Sequence, residues 1–356
     1  MDARAFLRSL PIPIIQAPML GASSPAMSLA VSKAGGLGSL AAAGWSPEEI
    51  ESQIADAKAA GAPFAANFFV LETARPAPGE VDAALARLAP WYEAVGAPVP
   101  EAPNTFAPDF EAQFGALLKA APPAASFTFS ILTADQVEAL HLRGVLVIGT
   151  ATSVGEARAW ADVGADAICA QGAEAGGHRG TFLKSVDESL IGTMALVPIV
   201  RQAVDLPVIA AGGIMDGAGI AAALALGAEA VQMGTAFLLA DDSVISPPWR
   251  EAVMKADDDS TRLTRAFSGH YARGIENDFM RRMRPVEAEV PAYPIQNRLT
   301  QPLRAAAAKA GNAQAINLWA GQALKLARPG EPGALVKQWW DEAKAAAMAV
   351  SARVQS

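Results

Sequence analysis

The sequence predicts an α/β protein built as a (β/α)₈ barrel, with a smaller subdomain that covers the substrate site. Eight short apolar runs alternate with helical segments rich in Ala, Leu and Glu, mostly with short connections. Glycines follow the last two of these runs, and 356 residues are enough for one large barrel. A doubly wound open sheet is the alternative, but the count of eight strands favours a closed barrel.

Composition limits the classes of function. Hydrophobic residues make up 52% and charged residues 18%, which indicates a folded core. The net charge of -8 speaks against nucleic acid or an anionic membrane as a partner. The only cysteine, Cys169, lies in an apolar run and excludes an internal disulfide or a cysteine-built metal site. The first residues lack a signal-peptide core, so we expect a soluble, cytoplasmic protein. No spacing of His, Asp and Glu suggests a metal site, so we also expect no metal.

The first three strands are predicted from short apolar runs that are followed by helix signals. At the second helix, Ser46 is placed to cap the helix, Pro47 to occupy its first position, and Glu48 and Glu49 to complement its dipole. The predicted elements are strand 12–19, helix 25–34, strand 37–42, the helix beginning at Ser46, and strand 63–70. Residues 72–105 are rich in proline and are interpreted as an insertion with one short helix at 81–91.

Regular alternation returns after the insertion. Thr133 and Gln136 indicate one capped helix, and Ser153 with Glu156 predicts a capping box at the next. The elements in this part are helix 109–120, strand 126–132, helix 133–142, strand 145–149, helix 153–163 and strands 166–171, 207–211 and 230–234. We therefore assign 1–71 and 106–240 to the barrel, with 301–356 as helices that pack back on it. Segments 72–105 and 241–300 form the smaller covering subdomain.

The loops after the seventh and eighth strands favour a phosphate site. Gly212-Gly213 precedes a helix that begins near Asp216, and Gly234-Thr235 follows the last strand. Backbone N–H groups of such glycines approach phosphate oxygens closely at this end of a barrel. The alternative is that these glycines only permit tight turns.

The loop after the sixth strand has four glycines between Gln171 and Gly180, with His178 among them. An imidazole in that position is accessible and suited to proton abstraction, whereas the alternative is a surface histidine. Glu174 is assigned no catalytic role. His141 is expected to complement a helix C-terminus, and the role of His270, either lining the site or packing beside it, stays open.

Several motifs together resemble the nitronate monooxygenase family, formerly called 2-nitropropane dioxygenases, and within it class I. The matching stretches are Ile15-Gln16-Ala17-Pro18-Met19, Gly35-Gly36-Leu37-Gly38, Ala66-Asn67, Gln171 to Gly180, Ala210-Ala211-Gly212-Gly213-Ile214, Gln232-Met233-Gly234-Thr235, Tyr293-Pro294-Ile295-Gln296-Asn297 and Leu318-Trp319-Ala320-Gly321-Gln322. The last two point most narrowly to class I.

The resemblance implies FMN as cofactor and oxidation of alkyl nitronates, such as propionate 3-nitronate, by O₂ to a carbonyl compound and nitrite or nitrate. By position, the expected FMN contacts are Ala17, Pro18, Met19, Asn67, Gln171, Gly176, Gly213, Gln232, Met233, Gly234 and Thr235. His178 matches the family histidine that removes the α-proton of a neutral nitroalkane, and for a nitronate it would orient the anion. A monomer or a homodimer is expected.

Other functions share this scaffold. The alternative is an NAD(P)H-dependent FMN quinone reductase or enoyl-acyl-carrier-protein reductase of the same superfamily, which keeps the glycine-histidine loop. A phosphate-binding isomerase or aldolase would need a lysine or an acid at several strand ends, and the sequence shows none. The chain departs from the family where Gly269-His270-Tyr271-Ala272-Arg273 has histidine in place of a frequent arginine, which puts affinity or substrate range in question.

Overall fold

Eight parallel strands form a barrel in the computed structural model, which describes residues 2–356. Numbered in chain order, the barrel strands are β1 (Ile14–Gln16), β2 (Gly38–Ala41), β3 (Phe64–Phe69), β4 (Ala124–Thr128), β5 (Leu146–Ala151), β6 (Ala167–Gln171), β8 (Val208–Ala211) and β9 (Ala230–Met233). Between the first and second strands, Leu37 N donates to Ile14 O and Gln16 N donates to Leu37 O, both at 2.9 Å. These bonds close the barrel, as predicted.

Helices cover the outside of the barrel and supply the segments above it. They are α1 (Ala3–Ser9), α2 (Pro25–Lys33), α3 (Pro47–Ala59), α4 (Glu80–Ala94), α5 (Phe110–Ala120), α6 (Ala134–Leu142), α7 (Val154–Asp162), α8 (Thr193–Ala203), α9 (Gly217–Ala225), α10 (Pro247–Lys255), α11 (Asp278–Met283), α12 (Ile295–Lys309) and α13 (Pro332–Gln355). Single 3₁₀ segments span Ala42–Gly44, Asp187–Ser189, Thr235–Phe237, Arg284–Glu289, Ala313–Ala315 and Leu324–Leu326. No helix of residues 2–356 is long and apolar enough to cross a membrane.

Three local predictions need correction. β1 is much shorter than 12–19, and Pro13 and Pro18, which lack an N–H to donate, stand just outside it. β4 begins two residues and ends four residues earlier than predicted, because the positive φ of 78° at Phe129 is incompatible with a strand. Ser153 caps α7, but the Glu156 side chain does not return to Ser153 and is instead buried among later residues. The capping boxes at Ser46 and Thr133 are present.

The barrel interior is a packed core. Its cluster combines α1 with inward-facing strand residues: Ala3, Leu7, Leu10, Ile15, Leu37, Ala65, Ala124, Leu146, Ile148, Ala167, Cys169, Ile209, Ala211 and Ala230. Helix α1, which the sequence analysis did not assign, therefore belongs to the barrel core. Because successive strand residues face opposite sides, their neighbours pack outward against the helices in a second, larger cluster. In barrels of this kind the active site lies at the C-terminal ends of the strands.

A small antiparallel sheet links the loop after β6 to the segment that follows the last barrel strand. It contains β10 (Thr261–Thr264), β11 (Ala272–Ile275) and the two-residue strand β7 (Gly177–His178). His178 pairs with Ala272, and Gly177 pairs with Arg273. The backbone of the candidate base is thus held by residues almost a hundred positions later in the chain.

The insertion and the later segment pack on each other. Leu88 and Tyr92 of α4 share an apolar cluster with Phe267 and Leu299, and Tyr92 Oη donates to Leu299 O at 2.7 Å. Helix α12 runs across position 300, where the predicted subdomain gives way to the C-terminal helices. Helix α13 packs against α9 and α2 on the outside of the barrel. The division into barrel and covering subdomain stays a prediction.

Candidate active site

A cavity of about 570 Å³ lies at the C-terminal ends of the barrel strands. This volume is in the range of cofactor and small-molecule sites. Predicted site residues that line it are Ala17, Pro18, Met19, Asn67, Gln171, Gly176, His178, Gly213, Gln232, Gly234 and Thr235. Met233 is the exception, because its side chain is 1% exposed and packs in the core outside the barrel.

Two amides at strand ends are fixed by hydrogen bonds. Asn67 Nδ2 donates to Ser126 Oγ at 3.0 Å and to Ser126 O at 3.2 Å. Gln171 Nε2 donates to His178 O at 3.0 Å, while its Oε1 accepts from Gly180 N at 2.8 Å. Gln171 therefore ties both sides of the histidine loop to the barrel.

His178 is surrounded by aromatic rings from three distant parts of the chain. The centroid of its imidazole lies 5.2 Å from that of Phe129, 5.5 Å from that of Tyr293 and 5.6 Å from that of Trp319. Burial, with smaller contributions from the charges of His270 and Arg304, lowers the pKa of His178 to about 3. The imidazole is consequently neutral at physiological pH and able to accept a proton.

One hydroxyl sets the tautomer of this imidazole. Ser268 Oγ donates its proton to His270 O at 2.9 Å, because a carbonyl only accepts. His178 Nε2, 2.9 Å from the same Ser268 oxygen, must then be the donor to it. In the neutral ring Nε2 carries the hydrogen, and Nδ1 keeps its lone pair. Within residues 2–356, Nδ1 has no hydrogen-bond partner, so it is the basic atom of the site.

Two buried arginines hold the backbone of the glycine loop. Arg179 Nη1 donates to Gly172 O at 2.6 Å, and Arg273 Nε donates to Ala173 O at 3.1 Å. Gly176 passes so close to the segment around Gly321 that an added Cβ would lie 2.5 Å from Gly321 N. Only glycine fits there, and the loop is fixed against the wall of the cavity.

The other end of the cavity has the properties of a phosphate cradle. The backbone N–H groups of Gly213, Gly234 and Thr235 find no acceptor within residues 2–356. Gly213 has a φ of 72°, and an added Cβ would lie 3.2 Å from the Cβ of Glu174. Unpartnered N–H donors that converge on a cavity are what a phosphate requires. These residues fit the FMN that the family resemblance implies.

Sequence reasoning missed the residues that close the cavity. Trp249 and Arg304 line the cavity, Ser268 contacts His178 from behind it, and no local motif marks any of the three. Trp249 is 6% exposed, and its indole N–H has no partner in the described chain.

On the barrel floor, burial raises the pKa of Cys169 to about 12, so this thiol stays protonated.

The remaining predicted polar residues have structural contacts. His141 lies in the last turn of α6, as expected, with its Nε2 2.9 Å from Asp166 Oδ2. His270 packs beside the site: its ring contacts Phe129, and its Nε2 lies 2.9 Å from Arg179 O. Glu174 is not a loose surface charge, because its carboxylate accepts from the N and Oγ1 of Thr193.

The chain matches a family model described as nitronate monooxygenase over residues 5–342. It is 41% identical over 334 residues to a probable nitronate monooxygenase of Staphylococcus saprophyticus, covering 93% of this chain and 94% of that protein. Nitroalkane oxidase from Streptomyces ansochromogenes is similar in structure, with a TM-score of 0.89, 40% identity and coverage of 97% and 99%. FabK from Thermotoga maritima is similar with a TM-score of 0.76, 28% identity and coverage of 98% of both chains.

Sequence and fold thus agree with this family over nearly the whole length of the chain. This protein is an oxidoreductase that belongs to the nitronate monooxygenase family.

Proposed function

We propose that this protein is an FMN-dependent monooxygenase that oxidises alkyl nitronates with O₂ to a carbonyl compound and nitrite or nitrate. The observation that carries the proposal is the pairing, in one cavity, of a neutral His178 with a cradle of unpartnered N–H groups. The family match and the similarity to a nitroalkane oxidase support it. Propionate 3-nitronate is the representative substrate.

In the proposed site, Asn67, Gln171, Gly176, Gly213, Gln232, Gly234 and Thr235 hold FMN, with the backbone of Ala17, Pro18 and Met19 beside its ring. Met233 is removed from this set because it faces the core. The chemistry that FMN supplies when bound is the transfer of electrons from the nitronate to O₂.

The described residues supply position and proton transfer. His178 Nδ1 accepts the α-proton of a neutral nitroalkane, and the imidazolium keeps its Nε2 hydrogen on Ser268. The surrounding rings of Phe129, Tyr293 and Trp319 bury the imidazole, which lowers its pKa and keeps it in the neutral form that can accept a proton. A nitronate has already lost this proton, and the Nδ1 lone pair offers it no hydrogen, so for such a substrate His178 only lines the cavity.

The alternative is an NAD(P)H-dependent FMN reductase acting on quinones or enoyl-acyl-carrier proteins. The similarity to FabK is the observation in its favour, but both the TM-score and the identity are lower than for the nitroalkane oxidase. The nitronate monooxygenase is therefore the better supported function.

The test starts from purified protein and its visible absorption spectrum, before and after addition of FMN. Oxygen consumption with propionate 3-nitronate is then compared with NADH oxidation in the presence of a quinone. The proposal expects a yellow protein that consumes O₂ with the nitronate and does not oxidise NADH in the presence of the quinone. A protein that cannot be loaded with FMN contradicts it, and rapid NADH turnover without nitronate oxidation assigns the protein to the reductases.

The same proposal includes a cytoplasmic location, a monomeric or homodimeric state, and a covering subdomain formed by 72–105 and 241–300. Cell fractionation, light scattering and limited proteolysis test these three points separately.

A further inference from the structure

Helix α12 turns a polar stripe towards the catalytic cavity. Asn297, Gln301 and Arg304 all line it, and their spacing of four and three residues places them on one face of the helix. Helix residues that only packed against an apolar substrate would be apolar, unlike these three side chains. The roof of the cavity is therefore built to meet a polar group.

Arg304 is a cation without a carboxylate partner. Among the ion pairs of residues 2–356, none includes Arg304. Its Nη2 donates to Asn297 O and Asn297 Oδ1, both at 2.9 Å, and its Nε donates to Thr300 O at 3.3 Å. Nη1 makes no hydrogen bond within the described chain and is not sealed in the interior. A partly buried guanidinium with a free nitrogen fits an anion from the cavity.

The surroundings place this cation on the substrate side of the cavity. Its charge contributes to the low pKa of His178, and it opposes the burial that raises the pKa of Tyr293 to about 12. The phosphate cradle, by contrast, is built from the barrel loops at Gly213 and Gly234. Burial lowers the pKa of Arg304 to about 10, so the group stays positively charged at neutral pH.

We propose that Arg304 binds a second anionic group of the substrate, a carboxylate on the chain of the nitronate and remote from its reacting carbon. The inference rests on the proposed function and adds the residue that determines the preference among nitronates. A nitronate with a carboxylate gains a charge-assisted contact at Arg304, at the end of its chain remote from the reacting carbon. A nitronate with only an alkyl chain leaves the guanidinium in the cavity without a partner, which costs binding free energy.

Two substrates of matched length separate this inference from the proposed function. Propionate 3-nitronate and propyl-1-nitronate differ only in a carboxylate in place of a methyl group. If the enzyme oxidises propyl-1-nitronate, the proposed function is supported, whether or not Arg304 binds a carboxylate. The ratio of kcat/KM for the two substrates measures the carboxylate preference, and loss of folded enzyme cancels in this ratio.

The variants are Arg304→Gln, Arg304→Lys and, as a control with the same change of charge, Lys309→Gln on the exposed end of α12. We expect the ratio to fall roughly 30-fold in Arg304→Gln, since a charge-assisted hydrogen bond is worth about one to two powers of ten in affinity. The loss should appear mainly in KM. Arg304→Lys should recover part of the ratio, and Lys309→Gln should keep it.

Competitive inhibitors give a second readout that does not depend on turnover. Succinate places carboxylates at both ends of a chain of the same length, whereas butyrate has only one. Succinate should bind the wild-type enzyme more tightly than butyrate, and Arg304→Gln should abolish this difference. The inference is overturned if Arg304→Gln lowers kcat/KM equally for both nitronates, or if the advantage of succinate persists in that variant.

Discussion

His178 Nε2 lies 2.9 Å from Ser268 Oγ, and that oxygen in turn lies 2.9 Å from His270 O. Because the carbonyl takes the serine proton, the serine oxygen is left to accept from the imidazole. The geometry places the hydrogen of the neutral ring on Nε2 and the lone pair on Nδ1. In the proposed function, Ser268 is therefore a positioning residue that selects which nitrogen of His178 acts as the base.

Replacing Ser268 by alanine should impair proton abstraction more than nitronate oxidation. Without the acceptor on Nε2, the ring loses its preference for one tautomer and one orientation. We expect kcat with a neutral nitroalkane to fall roughly 10- to 100-fold, within the usual contribution of general base catalysis, with a much smaller change for a nitronate. Nitrogen NMR of ¹⁵N-labelled histidine reads the tautomer directly. Ser268→Thr, which keeps a hydroxyl, should restore part of the rate, and an unchanged NMR tautomer in Ser268→Ala would refute the assignment.

His178→Asn should separate the two classes of substrate. Asparagine offers an N–H to Ser268 but no basic nitrogen. We expect activity with neutral nitroethane to drop at least about 100-fold, while oxidation of the corresponding nitronate is largely retained. Oxygen consumption with both forms of the same compound measures this difference. Equal losses on both forms would mean that proton abstraction is not the role of His178.

The activity with neutral nitroalkanes should not fall through the ordinary pKa of histidine. Burial lowers the pKa of His178 from 6.5 to about 3 in the folded protein. The basic form is the neutral one, which is present above this value, so kcat/KM should stay level between about pH 8 and about pH 5. A pH profile with substrate supplied in its neutral form tests this. An inflection near pH 6.5 would show that the imidazole in the working enzyme is solvated.

Gly213→Ala should weaken FMN binding. The φ of 72° strains any other residue, and the new Cβ would press on Glu174 behind the cradle. Gly61, with the same φ of +72° and open space around it, is the matched control outside the cavity. Both alanine variants should lose about 1 kcal/mol of stability. Fluorescence titration should show roughly tenfold weaker FMN binding only in Gly213→Ala, and equal affinities in the two variants would contradict the cradle.

Glu156→Gln should destabilise the loop that follows His178. The buried carboxylate accepts from Thr152 N, Thr152 Oγ1, Thr181 Oγ1, Phe182 N and Leu183 N at 2.6 to 3.1 Å. An amide turns one of these acceptor oxygens into a donor, which leaves buried donors facing each other. We expect a loss of about 2 to 3 kcal/mol in the free energy of unfolding, measured by urea denaturation. Glu138→Gln, on the exposed face of α6, should change it by less than about 0.5 kcal/mol.

The barrel itself could be predicted because its signals are local. Alternating apolar runs, the caps at Ser46 and Thr133, and glycines after the last strands all act within a few residues. Local rules failed where distant parts of the chain decide the outcome. Glu156 satisfies a capping-box pattern, but its carboxylate accepts from Thr152 and from the distant donors of residues 181–183 instead of from Ser153 N. Phe129 ends β4 early because its backbone turns to bring the ring between His178 and His270.

Candidate site residues on the barrel loops could be predicted from the sequence, whereas those in the later segments could not. His178 and the cradle follow strands whose order in the sequence fixes their place in the fold. Ser268 and Arg304 lie 90 and 126 positions beyond His178 in ordinary-looking segments. Their roles arise from packing above the barrel mouth, which no spacing in the sequence reveals.

The pairing of β7 with β11 couples the backbone of His178 to the segment that follows the last barrel strand. Lifting β11 breaks the ladder to Gly177 and His178 and removes Ser268 from the imidazole in the same movement. If this strand separated from β7, water would reach His178, and the imidazole would lose the contact that fixes its tautomer. In the proposed mechanism, separation of β11 from β7 should therefore stop proton abstraction from a neutral nitroalkane but not the oxidation of a nitronate, which needs no base.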